Sequence, residues 1–184
     1  MSDSSDNLTE LATLRDGTVV LLRPIHPDDA PRLRALHVRL SPESRYFRFF
    51  SARAELPPEE AQALATVDYQ TRMAFVALPL GAAPETIIGV ARYGVSDLGN
   101  PNQAEAAIVV EDAYQRRGLG NALLARLVEY ARQRGVEYLI ANVDSMNTNM
   151  LKLIQRANLP TEMKLRSGVW DIRLRIADAP AAPQ

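Results

Sequence analysis

Cysteine is absent from the chain, which excludes disulfides, thiolate nucleophiles and thiolate metal ligands together. Histidine is nearly absent too. Only His26 and His37 occur, and no carboxylate or second histidine is spaced to help His37, so no metal site is expected. Long apolar runs are missing: none approaches the roughly 20 residues of a transmembrane helix. The opening MSDSSDNLTE has neither the basic nor the apolar region of an export leader, so a cytoplasmic location with no membrane partner is expected. Charge of one sign is also lacking, since 21 Lys and Arg against 22 Asp and Glu leave a net charge of −1. The chain as a whole has no pull on nucleic acid, and none is expected as a partner.

What is present suits one globular core: 184 residues, 47% hydrophobic and 23% charged. Residues 11–176 are expected as a single domain. The polar 1–10 and the Pro- and Ala-rich 177–184 are expected to be disordered.

Asp16-Gly17 is a turn signal, and the β-branched and leucine-rich Thr18 to Arg23 after it reads as a strand closed by Pro24. A helix follows, with Asp28 and Asp29 in its first turn and Ala30, Leu33, Leu36 and Leu40 as its apolar stripe. His37 is expected beside that stripe, at the helix surface or partly packed. Ser41-Pro42-Glu43 restarts a helix as N-cap, N1 and N2. It carries Tyr46, Phe47, Phe49 and Phe50 with Arg45 and Arg48 between them, a cluster read as core ahead of two alternatives, stacking on nucleic acid bases or lining a substrate groove. Pro57 to Val67 forms a short helix, and Met73 to Leu78 and Thr86 to Tyr93 form a hairpin across PLGAAPE. With the strand Ala104 to Val110 these make an antiparallel meander. Val136 to Val143 is reached by a helical crossover, which implies parallel pairing with the Ala104 strand. Asn147 N-caps the next helix, Asn158 stops it in the left-handed conformation, and Val169 to Ile176 alternates as a half-buried strand.

The chemistry concentrates in AEAAIVVEDAYQRRGLGNALLARLVEYARQRG, Ala104 to Gly135. A central strand leads into Gln115-Arg116-Arg117-Gly118-Leu119-Gly120, and the helix after it buries Leu119, Ala122, Leu123, Leu127, Tyr130 and Ala131. Two glycines let backbone N–H groups approach an anion. The new helix aims its partial positive end at the same place, and Arg116 and Arg117 add charge, so the loop suits a pyrophosphate. A Rossmann turn would want a third Gly or Ala where Leu123 stands, and a Walker loop would want Gly-Lys-Ser/Thr, which is absent.

Strand, Gln-x-x-Gly-x-Gly and helix together resemble the acetyl-CoA-binding motif of the GNAT N-acetyltransferases, with Gln115, Gly118 and Gly120 on the motif positions. Three further runs, RPIHPDDAPRLRALHVRLSPESRYFRFFS, VDYQTRMAFVAL and IIGVARY, resemble the catalytic domain of bacterial Pat-type protein-lysine acetyltransferases. The resemblance implies the GNAT fold: an α/β architecture with a mixed, mostly antiparallel sheet of about seven strands. Helices lie on both faces, and the family's parallel fourth and fifth strands surround the acyl-CoA cleft. It implies acetyl-CoA as acyl donor, no metal, a protein with an exposed lysine as partner, and is compatible with a homodimer. The cofactor-binding set it implies is Ile108, Val109, Val110, Gln115, Arg116, Arg117, Gly118, Leu119, Gly120, Asn121 and Asn147, with the backbone of Ile108 to Val110 lying along the pantetheine arm.

A lysine ammonium must lose a proton before attacking a thioester, a barrier of roughly 4 kcal/mol near neutral pH. The glutamate that serves as base in the Pat-type relatives falls on Glu105. Glu111 lies about 20 Å further along an extended strand and cannot serve the same atom. Many GNAT enzymes also carry a tyrosine that protonates the leaving thiolate, but Ile154 stands there, a departure a thiol of pKa near 8.5 tolerates. Two other functions stay open beside lysine acetylation: acetylation of a small-molecule amine, and a non-catalytic acyl-CoA sensor.

Overall fold

Turn chemistry and apolar alternation deliver eight strands into one sheet in the order β1-β2-β3-β4-β5-β6-β8-β7. The computed structural model describes residues 8–51, 53–82, 85–95 and 100–177. The strands are β1 (Glu10–Thr13), β2 (Val19–Pro24), β3 (Arg72–Pro79), β4 (Gly89–Val95), β5 (Gln103–Val110), β6 (Tyr138–Asp144), β7 (Thr161–Arg166) and β8 (Val169–Arg175). Among the described residues five α-helices accompany them: α1 (Ala30–Arg39), α2 (Pro42–Phe49), α3 (Pro58–Ala65), α4 (Leu119–Gln133) and α5 (Thr148–Arg156). Every pairing is antiparallel except β5 with β6, where α4 supplies the crossover. The mixed sheet, its single parallel pair and its flanking helices are as expected.

β3 shows why helices cover both faces. Its residues Met73, Phe75 and Ala77 join the cluster under α4, and Ala74, Val76 and Leu78 join the cluster under α1 and α3. A third cluster, Val143, Ile154, Ile172 and Leu174, seats α5 on β6 and β8. On the α4 side Gly89 lets the helix pack close, since a Cβ there would stand 3.0 Å from Leu123 Cδ1 and that side chain would have to shift. The helix ends follow their cap residues: the Ser41 hydroxyl accepts from Ser44 N–H, and the Asn147 side chain accepts from Met150 N–H. Asn158 takes φ 52° after α5.

The structure departs from the sequence reading in four places. β1 and β7 were not located and bring the count to eight. Both are edge strands, and β7 has only Met163 partly buried, so no alternation announces it. β1 opens at Glu10, the last residue of the segment expected to be disordered, and residues 1–7 and 178–184 lie outside the described residues. The aromatic run is not core: α2 has no buried residue, and Tyr46 and Phe50 are 43% and 44% exposed. Positions i, i+1, i+3 and i+4 do share one helix face, but that face joins none of the core clusters: Phe47 lines the cleft described below, and Phe50 is the left-handed C-cap of α2 at φ 48°. His37 is the converse case. It is buried against Phe49, with Nε2 3.1 Å from the Arg53 carbonyl oxygen.

Candidate active site

The site begins where a ladder stops. β5 pairs with β6 only through Gln103↔Tyr138, Ala104↔Leu139 and Glu105↔Ile140, and both strands run on beyond those pairs. From Ala106 to Val110 the β6-facing edge of β5 has no strand partner, while its other edge stays paired to β4. Backbone N–H and C=O groups on that free edge, apart from the Val110 carbonyl, which accepts from Gln115, are available to an extended ligand.

A cleft of about 350 Å³ opens there, large enough for a cofactor arm. Ile108, Val109, Val110, Gln115, Arg116, Gly118, Gly120, Asn121 and Asn147, all expected at the site, line it. The loop is shaped as its glycines require. Arg116 and Gly118 both have positive φ, 62° and 97°, so successive amides turn toward one point. No side chain caps α4, which leaves its first N–H groups for an anion. Gly120 packs against Leu153, and a Cβ there would make ordinary contact with Leu153 Cδ2 at 3.4 Å.

Gln115 spans the cleft floor. Its Nε2 donates to Val110 O and to Ser44 Oγ, both at 3.1 Å, and its Oε1 accepts from Asn149 Nδ2 at 3.2 Å. One side chain thus ties β5, α2 and α5 together. Asp112 fastens α2 from below, accepting from Ser41 N–H (2.9 Å), Ser41 Oγ (2.7 Å) and Ser44 Oγ (2.8 Å). Partial burial pushes its carboxyl upward, but these hydrogen bonds together hold it below the usual carboxylate range.

Three expected residues stand apart from the cleft lining. Leu119 is fully buried in the core beneath α4. The Arg117 guanidinium pairs with Asp16 at 2.6 Å and lies over the Tyr114 ring, which pins the loop to the β1–β2 turn. Glu105 is exposed at the last paired position of β5, the vertex at which the strands part. Its charge reaches Arg48, whose guanidinium it helps keep protonated against the effect of burial.

Phe47 and Arg48 line the cleft from the cluster for which a substrate groove was one of the alternatives, while Arg15, Lys152 and Arg156 were not found from sequence. Arg15, Arg48, Lys152 and Arg156 join Arg116 to make five cations against one carboxylate, Glu43, so the cleft is positive although the chain is not. Lys152 and Arg156 stand four apart on α5, a spacing that places them on one face and could have flagged them. Arg15 has no such signal. Its place depends on the hydrogen bond from its N–H to Arg117 O. No tyrosine is among the lining residues, and Ile154 is buried under α5. A positive cleft, an uncapped helix start and a free strand edge fit the nucleotide pyrophosphate and amide-bearing arm of acetyl-CoA. Among the described residues no group of histidines and carboxylates could hold a metal ion, and no helix is long and apolar enough to cross a membrane.

Residues 20–159 match the acetyltransferase (GNAT) domain model. The chain is 35% identical over 141 residues to an acetyltransferase of Pseudomonas aeruginosa, covering 77% of this chain and 75% of that one. It is 34% identical over 145 residues to the acetyltransferase Pat of Mycolicibacterium smegmatis, covering 78% of this chain but only 42% of that longer protein. Among solved structures, the GNAT domain of S. lividans PAT superposes with a TM-score of 0.84 at 29% identity, over 94% of this chain and 99% of that one.

Proposed function

Since the chain belongs to the GNAT acetyltransferases and takes acetyl-CoA as its acyl donor, we propose that its acceptor is a lysine side chain of a protein. The observation that carries this reading is the pairing of Glu105 with the cleft vertex, supported by the similarity to Pat proteins over most of the domain. When bound, acetyl-CoA supplies an electrophilic thioester carbonyl.

The chain's own residues do the rest. The amides of Gly118 to Gly120 and the start of α4 hold the pyrophosphate, with Arg116, Arg15, Lys152 and Arg156 adding charge. The free edge of β5 from Ile108 to Val110 aligns the arm, and an N–H on that edge is the oxyanion donor. Glu105, exposed and ahead of that edge, receives the proton of the acceptor ammonium directly or through one water. No side chain takes the part of a thiolate acid, because the family position holds Ile154. Phe47 of α2 lines the cleft, and the exposed aromatics Tyr46 and Phe50 beside it in sequence suit a protein surface as partner.

The test is free-thiol release from acetyl-CoA with an acyl-CoA synthetase as acceptor, for wild type and Glu105→Gln. The expected result is turnover of the protein lysine that falls about 10²-fold or more in the variant, with acetyl-CoA affinity retained. Equal rates for the two proteins would remove Glu105 from the mechanism, and turnover only with small amines would replace the protein acceptor.

A further inference from the structure

On the face of β5 turned away from α4 lies a second, smaller hollow of about 30 Å³, room for about two water-sized groups. It adjoins the acetyl-CoA cleft, since Arg48 and Val109 line both. Most of its walls are apolar, Leu36, Leu56, Leu64 and Val90 among them, yet the side chains of Arg48, Arg92 and His37 also line it and no carboxylate does. Arg92 stands directly opposite Ala107 in the β4–β5 ladder, next to the cofactor edge.

Neither guanidinium has a counter-ion there. Arg92 donates to the Leu64 carbonyl, a dipole and not a charge. The Arg48 guanidinium lies over the Phe49 ring at 4.7 Å and, among the described residues, makes no hydrogen bond and no ion pair. Glu105 and Glu60 act on it only across space. Burial pushes Arg92 down to about 10, with the neighbouring Arg48 and Arg72 charges adding to the effect, and burial pushes Arg48 in the same direction. Two half-desolvated like charges against apolar walls are stabilised by an anion between them, and a carboxylate matches both the volume and the planar fork of a guanidinium. An ammonium would be repelled and a methyl group would leave both charges uncompensated.

We propose that the hollow between Arg48 and Arg92 is a subsite for a carboxylate carried by one of the two substrates, beside the reacting centre. The proposal rests on the acetyl-CoA reading above. The carboxylate has two sources: the far end of a dicarboxylic acyl group on the CoA donor, which keeps the protein acceptor proposed above, or the acid group of an amino-acid acceptor, which would replace it.

Two matched pairs separate them. Dissociation constants for succinyl-CoA and butyryl-CoA compare a terminal carboxylate with a methyl group on the same carbon chain. Thiol release from acetyl-CoA with lysine and with cadaverine makes the same comparison on the acceptor. A preference of at least about tenfold for the acid in one pair is expected, and that pair names the source. Arg48→Met should reduce the preference to under about threefold, while Arg92→Lys, which keeps the charge, should retain more of it. Thermal unfolding of both variants shows whether a loss reflects folding. Wild-type protein that binds butyryl-CoA as tightly as succinyl-CoA and uses cadaverine as well as lysine overturns the proposal. Failure of every CoA thioester to bind would overturn the acetyl-CoA reading first and this subsite with it.

Discussion

Asp29 shows how one residue carries more than its position in the sequence suggests. Expected in the first helical turn, where the dipole favours it, its carboxylate is 1% exposed and takes a bidentate fork from Arg23 at 2.7 and 2.8 Å, Arg32 at 3.1 Å and the His26 N–H at 2.9 Å. Burial pushes the carboxyl upward, yet Arg23, the His26 N–H and Arg32 outweigh it and hold it below the usual range. A carboxyl depressed in the folded state stabilises the fold above its unfolded value, near 3.9, and that contribution is lost as the pH falls from there through the lower folded value. Asp29→Ala is expected to cost about 3–5 kcal/mol in denaturant unfolding near neutral pH, because it strands a half-buried guanidinium. The gap between variant and wild type should narrow below pH 4 or thereabouts. A gap that does not change with pH would mean that packing, not charge, explains the loss. Glu105 and the Arg48–Arg92 pair belong to the same scale: the sequence offers the letters, but which charges meet depends on the ladder that sets them side by side.

Elements were legible to the degree that they bury something. β3 and α4 were readable from their apolar pattern, and α2 and α5 from Ser41 and Asn147 at their starts. β7 was not, because an edge strand with a single half-buried side chain has no pattern to display. Asn147→Ala removes the bond from Met150 N–H and should lower stability by about 1 kcal/mol, read as a small fall in melting temperature. Gly118→Val acts on the loop before α4, where φ is +97° and a side chain is strained. It is expected to weaken acetyl-CoA binding about tenfold or more by turning the loop amides away. Unchanged affinity would show that the cations, not the loop amides, hold the pyrophosphate.

At the scale of the molecule, the fold class and the phosphate loop could be read from one stretch of chain, while the charge of the cleft could not. Arg15, Arg48, Arg116, Lys152 and Arg156 come from β1's turn, α2, the loop and α5, and only folding gathers them. A net charge of −1 hid a local excess of four positive charges. Acetyl-CoA affinity should therefore fall steeply with added salt, and less so for CoA lacking its 3′-phosphate, in titrations over a range of ionic strength. The short β5–β6 splice has a further consequence, for proton exchange with solvent. Three residue pairs join the five-strand and three-strand parts of the sheet, and beyond them the β6-facing amides of Ala106 to Val110 have no rung to close. In the free protein they should exchange deuterium quickly despite lying on a central strand. An acyl-CoA laid along that edge would supply the missing rungs, so protection confined to this segment would report occupancy of the cleft even where no acetyl group is transferred.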